Sequence, residues 1–151
     1  MSQSCEFQAD KLLIKLDVTF KADIEAISPI VDTVLATASR MGCAKGHEME
    51  IELALREALA NAIKHGAGGD PSKEVRVCVA CDEARGMLIV VSDPGKGFDP
   101  TNVPSPLHGE QLFADHGRGL YLINQMMDQV WFSKGGTEIH MIKAPHEERP
   151  Q

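Results

Sequence analysis

From Leu12 to Phe20 the chain reads Leu-Leu-Ile-Lys-Leu-Asp-Val-Thr-Phe, an apolar–polar alternation that predicts a half-buried strand. The period then lengthens. Ile24, Ile27, Ile30, Val31, Val34, Leu35, Ala38 and Met41 recur on one stripe of a helix. Asp23 or Ser28-Pro29 starts it, since Ser caps well and Pro suits a first helical position; Gly42 ends it. A second helix is predicted from about Glu48 to His65, stopping at Gly66. Strands follow over Val75 to Cys81 and Met87 to Ser92, joined by a short connection that ends in Gly86. Between Asp93 and His116 four prolines (Pro94, Pro100, Pro104 and Pro106) block regular structure. A loop of that length in a compact domain is functional or disordered. A third helix begins near Gly117 and continues to Met127, and strands over Gln129 to Ser133 and Thr137 to Lys143 complete the chain. This order predicts an α+β fold: a two-layer α/β sandwich, its mixed sheet mostly antiparallel and its helices on one face. We expect one domain over residues 1–151, with its core at about 8–143 and a polar tail at 144–151.

Composition narrows the partners. The formal net charge of −7, from 22 acidic and 15 basic residues, argues against a nucleic-acid surface, and no Lys/Arg run offsets it. There is no secretory pattern near Met1 and no run of about 18 apolar residues, so neither export nor a membrane span is expected. Cys78 and Cys81 have C-x-x-C spacing, but within a strand an odd separation puts them on opposite faces, and no second ligand pair follows. Four cysteines in a chain of this size are not expected to form a disulfide framework, and Cys78 and Cys81 are expected to be reduced thiols of a cytoplasmic protein.

The second helix carries the first candidate chemistry. Ile51, Ala54, Leu55, Ala58, Leu59, Ala62 and Ile63 make its core stripe, and Glu52 and Arg56 form an ordinary exposed pair worth about 0.3 kcal/mol. Glu57, Asn61 and Lys64 fall on a third line, among small or apolar neighbours. Such a pair is frequent on solvated helix surfaces. It also fits a ligand: an amide oxygen suits Mg²⁺, and a carboxylate one turn away can serve as a general base.

Two glycine segments give that line something to face. Asp93-Pro94-Gly95-Lys96-Gly97 follows directly on an apolar strand, and Gly95 and Gly97 admit close backbone approach by a planar ligand, although a tight turn reads the same way. It lacks the Walker spacing. Gly117-Arg118-Gly119-Leu120 stands where a loop turns into a helix, and exposed N–H groups there make an anion site. No acidic ribose partner stands at dinucleotide-fold distance.

In order, the E-x-x-x-N helix, the D-x-G-x-G strand end and the G-x-G helix start resemble the GHKL ATPase superfamily over about residues 8–143. More narrowly, Leu53 to His65, Gly119 to Ile123 and Met127 to Val130 are similar to the anti-sigma factor serine/threonine kinases. The resemblance implies ATP and Mg²⁺ as cofactors, with Asn61 on the metal and Glu57 as base. It implies that Asp93 accepts from the adenine amino group, with Gly95 and Gly97 beneath the ring and Thr137 completing the pocket. Gly117, Arg118, Gly119 and Leu120 would hold phosphates, Lys64 and His65 would lie near them, and residues 99–116 would form a lid. The glycine box has no third glycine before Gly117, which leaves the lid hinge undefined.

The expected function is therefore an anti-sigma factor with serine/threonine protein kinase activity. It would act as a homodimer, bind a sigma factor and phosphorylate an anti-anti-sigma partner of the STAS type, without contacting nucleic acid or membrane. A non-catalytic ATP-binding regulator is the alternative, and Glu57 distinguishes the two, because a pure binder needs no base. A histidine-kinase catalytic domain is disfavoured, since no helical histidine-bearing dimerisation segment is seen.

Overall fold

The computed structural model describes residues 13–82, 86–96 and 115–145. Strand β1 (Leu13–Lys21) leads through a 3₁₀ turn (Ile24–Ala26) into α1 (Ile27–Met41). Asp23 caps the 3₁₀ turn, its Oδ1 accepting from the N–H of Glu25 at 2.9 Å, while α1 itself begins without a side-chain cap. Asp23 is thus the start signal and Ser28 is not. Gly42 closes α1 in the left-handed conformation at φ 75°, as the sequence suggests.

Helix α2 (Glu48–Asn61) does not run on regularly to His65. It widens into a π turn (Ala62–Gly66), where the N–H of Ala67 reaches back to the carbonyl of Ala62 at 2.8 Å. Then come β2 (Glu74–Asp82) and β3 (Gly86–Ser92), followed by α3 (Asp115–Met126), β4 (Gln129–Ser133), a 3₁₀ turn (Lys134–Gly136) and β5 (Glu138–Lys143).

The strand order is β1-β2-β3-β5-β4, and all four pairings are antiparallel. The expected mixed sheet is therefore corrected: among the described strands no pair is parallel. Two hairpins account for β2/β3 and β4/β5, and β5 enters antiparallel between β3 and β4. Alternate residues of the central strands (Val75, Val77, Val79; Met87, Ile89, Val91; Ile139, Met141) pack against Val31, Val34, Leu55, Leu59 and Ile123 of the helices. Each fully buried aliphatic side chain contributes about 1.5–3 kcal/mol. The intervening residues Cys78, Ala80, Leu88, Val90 and Ile142 form a smaller apolar cluster on the other face. No helix among the described residues is long and apolar enough to cross a membrane.

Two buried features lock the layers together. The Lys143 ammonium donates to Glu50 Oε2 and to the carbonyl of Met126, both at 2.7 Å, tying β5 to α2 and α3. Cys43, just past the α1 cap, pairs with Cys81 at the end of β2 as a disulfide, with Cα atoms 6.2 Å apart. This corrects the expectation of reduced thiols, since no cysteine among the described residues is free. Cys81 faces the helices, so its neighbour comes from 38 positions away, which the C-x-x-C spacing could not reveal.

Candidate functional site

An open pocket of about 580 Å³ lies between the end of α2, the start of α3 and the ends of β3 and β5. Ala58, Asn61, Ala62 and His65 come from α2 and its π turn, Asp93 from beyond β3, Leu120 from α3 and Thr137 from before β5. Val91, Phe132 and Ile139 supply apolar wall. Five residues singled out in the sequence (Asn61, His65, Asp93, Leu120 and Thr137) thus share one cavity.

The E-x-x-x-N line meets the helix start of α3 at backbone range. A Cβ on Gly119 would stand 2.9 Å from Asn61 Nδ2, 3.4 Å from Asn61 Oδ1 and 3.5 Å from Glu57 Oε2. Only glycine lets the two helices come this close without shifting the Asn61 amide. Helix α3 starts at Asp115, two residues earlier than expected, so Gly117, Arg118 and Gly119 lie in its first turns. The first four N–H groups of a helix have no partner within it, so the positive end of α3 lies in the turn before Gly119, the fifth residue of the helix.

Asp93 sits half-buried at the other end, held by three backbone contacts. Its N–H donates to the Thr137 carbonyl at 2.9 Å, and its Oδ1 accepts from the N–H of Gly95 at 2.8 Å. Burial pushes its carboxyl above the usual carboxylate range, and the Gly95 N–H offsets part of that. Gly66 packs directly against the Asp93 side chain, so that a Cβ there would overlap the carboxyl group. Gly95 in turn packs on the backbone of Gly66, whose Cα would lie 2.9 Å from an added Cβ. In the sequence Gly66 marks only a helix stop. Its role in seating Asp93 had no local signal, because the contact joins residues 27 apart.

Behind this end, on the opposite face of the sheet, Glu138 is 5% exposed. Burial acts to raise its carboxyl, but hydrogen bonds from Ser92 and Ser133 and the Lys134 ammonium outweigh burial and hold it below the usual range. Burial also lowers the His140 imidazole, against the opposing pull of Glu138.

Not every expected site residue joins the pocket. Lys64 is exposed and outside the pocket wall, while Glu57 stands at the rim beside Gly119. Gly97, the Arg118 side chain and lid residues 99–114 fall outside what is described.

Asn61 fits a magnesium ion that takes most of its ligands from phosphates and water: one amide oxygen, with a carboxylate beside it. Among the described residues no group of three or more His, Cys, Asp or Glu is placed to hold a metal by itself.

The chain is 30% identical over 141 residues to the serine-protein kinase RsbW of Bacillus licheniformis, covering 89% of this chain and 88% of that protein. RsbW of Bacillus subtilis (strain 168) is 28% identical over the same span and coverage. RsbW of Bacillus cereus (strain AH820) is 30% identical over 122 residues, 77% of this chain and 75% of that protein. Residues 20–143 match the histidine kinase-like ATPase domain. The chain belongs to the histidine kinase-like ATPase domain family, in the group that includes the RsbW serine-protein kinases.

Proposed function

We propose that the protein is an ATP-dependent serine/threonine kinase that restrains a sigma factor and phosphorylates an anti-anti-sigma partner of the STAS type. The observation that carries this reading is the contact of Glu57 and Asn61 with Gly119, which puts a carboxylate and an amide about one turn from the positive end of α3. A phosphate group is favoured there by the unpaired N–H groups of α3. Asp93, half-buried 2.8 Å from the Gly95 N–H, is the acceptor for the adenine amino group, with Thr137 beside it.

In the transfer, the partner's hydroxyl oxygen bonds to the γ-phosphorus as the β,γ-bridging bond breaks, and ADP departs. Glu57 accepts the hydroxyl proton. Asn61 would hold a magnesium ion, which when bound neutralises phosphate charge. The protein's share is otherwise positioning, as phosphoryl transfer requires. A homodimer, the expected assembly of this kinase group, belongs to the same proposal.

The direct test is incubation with labelled ATP and STAS-type proteins from the same genome, followed by mapping of the label. Label on a serine or threonine is the expected result. Firm ATP binding without transfer to any of them would favour a regulator that only binds.

The Asp93 assignment makes a pH prediction. Adenine donates to the ionised carboxylate, so binding stabilises the charged form that burial disfavours. ATP affinity should therefore fall as pH drops through the raised pKa of Asp93. Calorimetry over a pH series should show this component in the native protein and not in Asp93→Asn, which shares the phosphate titration. Superimposable profiles would remove Asp93 from the adenine site.

A further inference from the structure

We propose that Glu138 is a positioning residue of the nucleotide pocket, holding the strand ends that carry Asp93 and Thr137 in the register that recognises adenine. This rests on the nucleotide reading of the pocket and extends it to a residue on the far side of the sheet.

Ser92, Glu138 and Ser133 occupy one rung, from β3, β5 and β4 respectively. The Ser92 hydroxyl donates to Glu138 Oε2 and the Ser133 hydroxyl to Oε1, both at 3.0 Å. Lys134 Nζ stands 3.4 Å from Oε2, and His140 Nε2 lies 3.6 Å from Oε1 and 2.7 Å from the Ser133 hydroxyl. Each carboxylate oxygen thus grips a different strand end. Bonds to a buried charge are about twice as strong as neutral ones, which makes this a stiff connection.

The rung is the last of the sheet before the pocket. The residue after Ser92 is Asp93, and the residue before Glu138 is Thr137. These two are joined by the Asp93 N–H to Thr137 carbonyl bond at 2.9 Å. The turn between β4 and β5 makes the arrangement vulnerable. Lys134, Gly135 and Gly136 all take positive φ (53°, 68° and 93°), and Lys134 is the single non-glycine residue to do so among those described. A left-handed lysine is strained, and its ammonium pairs with the same carboxylate. Freed from Glu138, this turn would let Thr137 drift relative to Asp93, and the adenine acceptor would lose its fixed position. The phosphate end, built from α2 and α3, shares none of these bonds.

The position therefore governs discrimination between bases rather than binding as a whole. Adenine presents an amino donor where guanine presents a carbonyl. We expect Glu138→Gln and Ser92→Ala each to narrow the preference for ATP over GTP by roughly tenfold, the scale of one charge-assisted hydrogen bond. Titration calorimetry with both nucleotides gives the ratio. Thermal melting followed by the single tryptophan, Trp131, stacked on His140 at 5.0 Å, reports whether each variant is folded. Should Glu138→Gln fail to fold, Ser92→Ala cuts one arm only and carries the test. ATP and GTP weakening by the same factor, or a native-like ratio in the folded variants, overturns the role of Glu138 and leaves the nucleotide site standing. A native protein that binds neither nucleotide overturns both.

Discussion

Glu57→Gln should bind ATP within about twofold of the native protein while phosphoryl transfer falls by roughly 10²–10⁴, the usual share of a general base. The separation is possible because of where Glu57 sits. It is half-buried at the rim of the pocket, outside its wall, and makes no hydrogen bond or ion pair among the described residues. Glutamine keeps its shape, so folding and the Gly119 contact should survive. What disappears is the capacity to take a proton from an incoming hydroxyl. Single-turnover transfer to a STAS partner, set beside calorimetric ATP affinity, measures the two effects independently. Native transfer rates in the variant would sink the base assignment; lost ATP affinity would assign Glu57 to ground-state binding instead.

Gly66→Ala should lower ATP affinity by roughly tenfold, the scale of one hydrogen bond to a charged group lost when the Asp93 carboxylate is displaced. The added Cβ has nowhere to go: it falls on the Asp93 carboxyl group. Asp93 is itself fixed by the N–H of Gly95 and by the Thr137 carbonyl, so it cannot step aside without breaking one of those bonds. Overpacking of this kind also costs about 1–3 kcal/mol of stability, visible as a lower melting temperature. The decisive control is the double variant with Asp93→Asn. If Gly66 acts through Asp93, the two losses of affinity combine to less than their sum. Strict additivity would show that Gly66 supports the pocket by another route.

Both predictions turn on how much a linear pattern can report. The apolar periods located each strand and helix to within a few residues, since strand and helix repeats place side chains on faces regardless of what packs there. The same rule put Glu57 and Asn61 on one line and split Cys78 from Cys81 onto opposite faces, with Cys81 in the main core and Cys78 in the smaller cluster. Where the pattern was silent, the missing information lay in another segment. The apolar stripe predicts a regular helix to His65, yet its final turn is a π turn, and Ala-Ile-Lys-His-Gly gives no sign of it. π turns recur at functional sites, and this one carries His65 and Gly66 to the pocket.

The sequence alone determined the order of elements, the three motif segments and their family resemblance, because backbone hydrogen bonding, apolar repeat and glycine placement are local properties. Tertiary structure decided the rest. It inserted β5 between β3 and β4, made every described pairing antiparallel and joined Cys43 to Cys81. It also pressed Gly66 against Asp93 and Gly119 against Asn61, and gathered Ser92, Ser133 and Lys134 around Glu138. Each of these last contacts joins separate elements or neighbouring strands, so its geometry is set by how the layers pack and by no repeat along the chain.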